Sequence, residues 1–145
     1  MLTESARMSS AAEARFRIQA PPPTRRAIAV IPLDPDSEHL VATLAEGLWR
    51  GVTFLPASAV TDLVKDVAAD LVVMIAAAGA DAGAVALIGE ACSRRRVPTA
   101  TCVIRGASAS DAAVSGTLAQ VRPWSLMVVI ANDDDYIEDL LRAFR

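Results

Sequence analysis

The segment from Asp70 to Gly106 constrains the fold of this chain more than any other. Leu71 to Ile75 is an unbroken apolar run, Leu-Val-Val-Met-Ile, with no polar alternation. That is the pattern of a strand covered on both faces. A helical run from Asp81 to Arg96 follows. Asp81 stands in capping position, Val85, Ile88 and Cys92 share one stripe, and Arg94, Arg95 and Arg96 close the last turn. Positive charge there meets the negative end of the helix dipole. Pro98 forbids further helix, and Ala100 to Ile104 supplies a second apolar strand. A strand, a crossover helix and a strand of these lengths make a right-handed parallel βαβ unit.

The same alternation extends on both sides. Ala27 to Leu33 reads as a first strand, and Asp34-Pro35 as a helix start with Asp34 at the N-cap. Leu40, Val41, Leu44 and Leu48 form the inner stripe of that helix, Gly51 ends it, and Val52 to Leu55 is a short strand. Ser58 opens a helix whose inner face is Val60, Leu63, Val64 and Val67. Beyond Gly106, Ser108 or Ser110 caps a helix burying Ala113, Val114, Leu118 and Val121, which Pro123 stops. Ser125 to Ala131 is the fifth strand. Asn132 or Asp133 caps a last helix with Ile137, Leu140, Leu141 and Phe144 inside. Five strands alternating with five helices define an α/β chain, a three-layer doubly wound parallel five-stranded sheet of flavodoxin-like order 2-1-3-4-5.

Residues 26–145 are expected to form this single α/β domain. Residues 1–25 differ in character: they hold Ser9-Ser10, the run Pro21-Pro22-Pro23, and Arg7, Arg15, Arg17 and Arg25 against Glu4 and Glu13. They read as a mobile arm with a stiff proline spacer, dispensable for folding. The arm lacks the apolar core of a secretory signal.

Charge and cysteine usage exclude several classes. Net charge is −3, with 17 acidic against 14 basic residues, which leaves no nucleic-acid footprint. Mean hydropathy is high at +0.37, yet no apolar run approaches the ~20 residues a membrane span needs. Cys92 and Cys102 show no metal-ligand spacing, and His39 is the only histidine, so no metal and no cofactor are expected. Both thiols read as small buried hydrophobes in a reducing, cytoplasmic setting. Lys65, the only lysine, sits between acids on a helix as a solvated charge.

In an open parallel sheet a ligand binds beyond the carboxyl ends of the strands, at the switch point between strands one and three. That rule selects Leu33–Ser37, Ala76–Gly83, Arg105–Asp111 and Ala131–Asp135. The candidate ligand-binding residues are Asp34, Ser37, Gly79, Asp81, Gly83, Ser108 and Asn132. The Ala76–Gly83 loop offers small side chains and a helix start suited to an anion, but neither GxGxxG nor GxxxxGK[ST] is present. Together with Val128–Asp133 it resembles the nucleotide-binding half of the tubulin family in outline. The glycine run of that family is missing, so nucleotide binding does not carry over. Asp34, Asp36, Asp81 and Asp133–Asp135 share this rim, where N-capping accounts for them before a cation does.

Receiver domains of two-component systems share the expected fold and supply a test of chemistry. Their acidic pair would fall on Asp34 and Asp36. Ala76–Ala78 occupies the place of the phosphoacceptor aspartate, and Ala131-Asn132 the place of the lysine, so phosphotransfer is not supported. No GxSxG elbow marks a nucleophile, and the loops after strands three and four hold no aromatic for a flavin. The reading is a non-catalytic cytoplasmic module acting through a protein partner, itself as a homodimer, or a small regulatory ligand. The alternative is a small enzyme or carrier binding an anionic, nucleotide-like ligand over Ala76–Gly83.

Overall fold

A computed structural model describes residues 26–56 and 69–144. The expected arm and the expected helix after Ser58 lie outside the described residues. Five parallel strands form one sheet: β1 (Ile28–Pro32), β2 (Val52–Phe54), β3 (Leu71–Ala77), β4 (Thr99–Ile104) and β5 (Met127–Ala131), in the order β2-β1-β3-β4-β5. This is the order read from the sequence. Four described helices connect them: α1 (Pro35–Ala45), α2 (Ala84–Arg94), α3 (Asp111–Val121) and α4 (Asp134–Phe144), with a short 3₁₀ turn at Arg122–Trp124.

Alternate strand residues feed two cores. On one face Ala29, Ile31, Val72, Met74 and Val103 pack against Val85, Ile88 and Cys92 of α2 and Val121 of α3. On the other, Ile28, Val30, Val73, Ile75 and Cys102 pack against Val41 and Leu44 of α1 and Ile137 and Leu141 of α4. The period-two side-chain geometry of a strand explains the division. Because helices cover both faces, β1 and β3 read as continuous apolar runs, while β4 also buries Thr99 and Thr101.

Three local expectations are corrected. The helix expected from Asp81 begins only at Ala84, and its cap residue Gly83 has no side-chain partner. Asp81 instead accepts the Gly83 N–H at 2.9 Å, a turn closed before the helix starts. At the other end the chain leaves α2 through Arg96, whose φ of 57° lies in the left-handed region. Val97 N–H bonds to Cys92 C=O and Arg96 N–H to Ser93 C=O, the paired bonds of a Schellman motif built without glycine. Leu48, expected on the inner stripe of α1, is exposed because that helix ends at Ala45. The chain folds back so that the indole of Trp49 donates to Leu44 C=O. Its ring then meets Phe54 edge-on at 5.5 Å, with the Arg142 guanidinium 4.4 Å above it.

Cys92 and Cys102 are unpaired and buried, and burial pushes their thiols up to about 11 and about 12 from an ordinary value of 9.0. The folded chain therefore keeps protons that the unfolded chain releases as pH passes 9. Stability is unaffected by these groups below that pH and falls as pH rises above it. The expected result is that urea midpoints decline from pH 9 upward, and that replacing both thiols by alanine flattens the decline. A native-state thiol reagent should react only as fast as the protein opens; stoichiometric labelling within seconds would contradict the burial.

Candidate functional site

At the carboxyl edge of the sheet the first turn of α1, the ends of β3 and β4, and the start of α4 enclose a cleft of about 910 Å³. This size is typical of small-molecule sites, and the place is the switch point, where the chain leaves β1 for one side and β3 for the other. The cleft exists because β3 ends in Ala77 and Ala78 and the loop after β4 runs through Gly106, Ser108 and Ala109, none bulky enough to fill it.

Asp34 shapes this edge without lining it. It is 5% exposed. One carboxylate oxygen accepts Ser37 N–H at 2.8 Å, and the other accepts Ala77 N–H at 2.8 Å. A single side chain thus caps α1 and ties it to the end of β3, 43 residues later. The cap follows from Asp34-Pro35 in the sequence; the second bond required the three-dimensional neighbour.

Of the seven candidate residues, Ser37 and Ser108 line the cleft. Ser37 is 1% exposed, and its Oγ has no hydrogen-bond partner. A buried hydroxyl left unmade costs about 1–3 kcal/mol. Gly79, Asp81, Gly83 and Asn132 are not in the lining. Gly79, at φ 86°, turns toward α3: its N–H donates to Thr117 Oγ1 at 2.9 Å, and an added Cβ would stand 3.3 Å from Ala113 Cβ. Ala82 N–H reaches Gln120 Oε1 at 3.3 Å, and Gly83 N–H is held by Asp81. Ala78 and Ala80 N–H bond to carbonyls of Ile104 and Ala77. The N–H groups that recommended Ala76–Gly83 to an anion are thus largely engaged within the protein.

The opposite wall is acidic, as the shared rim of Asp36, Asp134 and Asp135 implied, and it adds Glu138, His39 and Thr43, which the sequence did not single out as cleft residues. Asp36 from α1 and Asp134, Asp135 and Glu138 from α4 line the cleft, with His39 and Thr43, and among the described residues no lysine or arginine does. Asp133, by contrast, is a cap that accepts Tyr136 N–H at 3.0 Å. Among the described residues no group of three or more His, Cys, Asp or Glu side chains is placed to hold a metal ion. No described helix is long and apolar enough to cross a membrane.

Comparison with known proteins adds the fold. No family model matches the chain, and no curated protein matches it. Among solved structures, a de novo designed Rossmann 2x3 fold protein is 14% identical over 81% of this chain and 86% of its own, with a TM-score of 0.53. The signal receiver domain of NarL from Mycobacterium tuberculosis is 17% identical over 83% and 96%, at 0.47. NtrX from Brucella abortus is 17% identical over 83% of this chain but 26% of its own, at 0.49. The class is therefore a Rossmann-like α/β fold with flavodoxin strand order, and at these identities the likeness is of fold alone.

Proposed function

We propose that this domain is a non-catalytic cytoplasmic binding module whose switch-point cleft takes a small cationic or hydroxyl-rich regulatory ligand. The observation that carries this reading is the cleft itself, with four carboxylates, no basic side chain among the described residues and an unpartnered buried Ser37 hydroxyl in its wall. Glu138 is paired with Arg142 at 3.0 Å, yet an anion there would still meet the carboxylates of Asp36, Asp134 and Asp135, whereas an amine is attracted to the wall. Against catalysis stand the raised, buried thiols and a Ser37 hydroxyl bonded to no base.

Calorimetry with a polyamine, a neutral disaccharide and a nucleoside diphosphate tests the reading on the full chain. Binding is expected from the amine or the sugar and not from the diphosphate. Asp135→Asn should weaken an amine roughly threefold to tenfold, and rising salt should do the same. Ser37→Ala should weaken either ligand while raising the melting temperature of the free protein, since it removes the unsatisfied hydroxyl. Binding of the diphosphate, unaffected by Asp135→Asn and altered by Asp81→Asn, would instead return the site to the Ala76–Gly83 loop.

A further inference from the structure

The β5 edge of the sheet concentrates the apolar surface of this protein. Leu126, Met127 and Ile130 are 83%, 41% and 46% exposed, and Trp124 beside them 36%. Four of the seven large hydrophobic residues exposed among the described residues thus fall within seven positions. β5 pairs with β4 on one side and is the last strand of the sheet. The Ala131 carbonyl accepts Arg105 N–H from the β4 side at 2.8 Å, and a parallel ladder alternates sides residue by residue. Met127, Val129 and Ala131 therefore bond to β4, while the N–H and C=O groups of Val128 and Ile130 face the open edge. The segment carries no protection of its own: between Pro123 and Asn132 there is no charge and no further proline, the residues that usually blunt an exposed strand.

We propose that β5 is a dimerisation strand that receives a second copy of this chain in antiparallel register, joining the two sheets across a two-fold axis. Charge chooses the occupant. The exposed Arg122 stands at the entrance to the segment, and the exposed Asp133, Asp134 and Asp135 at its exit. Antiparallel pairing sets Arg122 of each protomer beside the acidic turn of its partner, so the surface complements itself as a two-fold interface requires. A register centred on Val129 places Val128 of one protomer opposite Ile130 of its partner. These are the residues whose peptide groups point outward, and each such pair exchanges both its N–H···O=C bonds. Ile130, exposed in the single copy, then covers the partner's half-buried Val128. Asp134 and Asp135 also line the cleft, so pairing with Arg122 of the second copy and binding of an amine draw on the same carboxylates.

Sedimentation velocity of the full chain over a wide concentration range tests the proposal. The wild type is expected to shift from monomer to dimer. Ile130→Lys should weaken association by roughly a hundredfold or more with unchanged circular dichroism and melting behaviour. Leu126→Lys, at a more exposed position just outside β5, repeats the test should Ile130→Lys disturb the strand. Arg122→Glu should weaken the dimer roughly tenfold, since the two-fold axis counts each contact twice, and Asp134→Arg in the same chain should restore part of it. A wild type that sediments as monomer at every concentration overturns the proposal, as does a dimer indifferent to Ile130→Lys and Leu126→Lys.

Discussion

Asp34→Ala should cost this protein about 3–4 kcal/mol, one of the two largest losses expected from any single change at a polar or glycine position. The side chain accepts two backbone N–H groups at 2.8 Å, from Ser37 and from Ala77, while 5% exposed. Losing an N-cap alone costs ~1 kcal/mol. Hydrogen bonds to a charged acceptor contribute about 1.5–3 kcal/mol each, and the stranded Ala77 N–H adds a desolvation penalty of similar size. For a domain of this size the change corresponds to a drop of roughly 10 °C or more in melting temperature. Asp34→Asn should lose about half as much. Its amide oxygen keeps one bond, and its NH₂ group faces the second donor as another donor. Urea denaturation of the two variants measures the difference, and amide exchange at Ala77 locates it. A loss below 1 kcal/mol for Asp34→Ala would mean that the tie between α1 and β3 is made elsewhere. The same variant should loosen the cleft, because Ser37 and Ala77, the two residues Asp34 joins, are both in its wall.

The double role of Asp34 marks where sequence reading stops. The alternation of strands and helices was legible because helices on both faces favour apolar central strands, unbroken in β1 and β3, and because capping residues and prolines punctuate the helices. Boundaries that depend on a remote neighbour were not legible. Leu48 continues a helical stripe in the sequence, yet α1 ends at Ala45, with Trp49 folded back onto Leu44, Phe54 and Arg142. The site followed the same division. The switch-point rule pointed to the edge of the sheet where the cleft lies, and Ser37 and Ser108 are in its lining. It also selected Gly79 and Gly83, because a glycine in a loop after a strand looks the same whether its N–H faces a ligand or Thr117. Asp36, Asp134 and Asp135 were visible as first-turn acids, the pattern that favours any helix start. Their common rim followed from the strand order, and the approach of α1 to α4 across the sheet end sets them around one space. Ser125 to Ala131 read as the fifth strand, at the edge of the expected order, but its residue types do not show how far Met127 and Ile130 stay exposed.

Gly89→Val should destabilise by about 3 kcal/mol, and the reason lies in the packing of α2 on the turn before β5. Gly89 is buried mid-helix, where glycine is intrinsically about 1 kcal/mol worse than alanine. A surface helix would gain from the substitution. Here an added Cβ would lie 2.7 Å from Trp124 Cβ and 2.8 Å from Trp124 Cε3, and the first of these is anchored to the backbone rather than to the free end of a side chain. The turn has little room to retreat: Trp124 C=O accepts the Thr99 hydroxyl at 2.6 Å, and Ser125 Oγ bonds Thr101 Oγ1 at 2.6 Å. Overpacking of this kind costs about 1–3 kcal/mol for a single methyl. Gly89→Ala should therefore come out destabilising despite its better helix propensity, and Gly89→Val, with two more methyl groups and β-branching, distinctly worse. Tryptophan fluorescence in a Trp49→Phe background should shift to the red as the Trp124 ring is displaced toward water. A double-mutant cycle separates the steric account from helix propensity. In a Trp124→Gly background the Cβ and the ring are both gone, and Gly89→Ala should turn neutral or stabilising, a coupling of 1 kcal/mol or more. If Gly89→Ala stabilises the protein with Trp124 present, the close approach of α2 to this turn is not a constraint on the fold, and the position of the β5 edge is set by β4 alone.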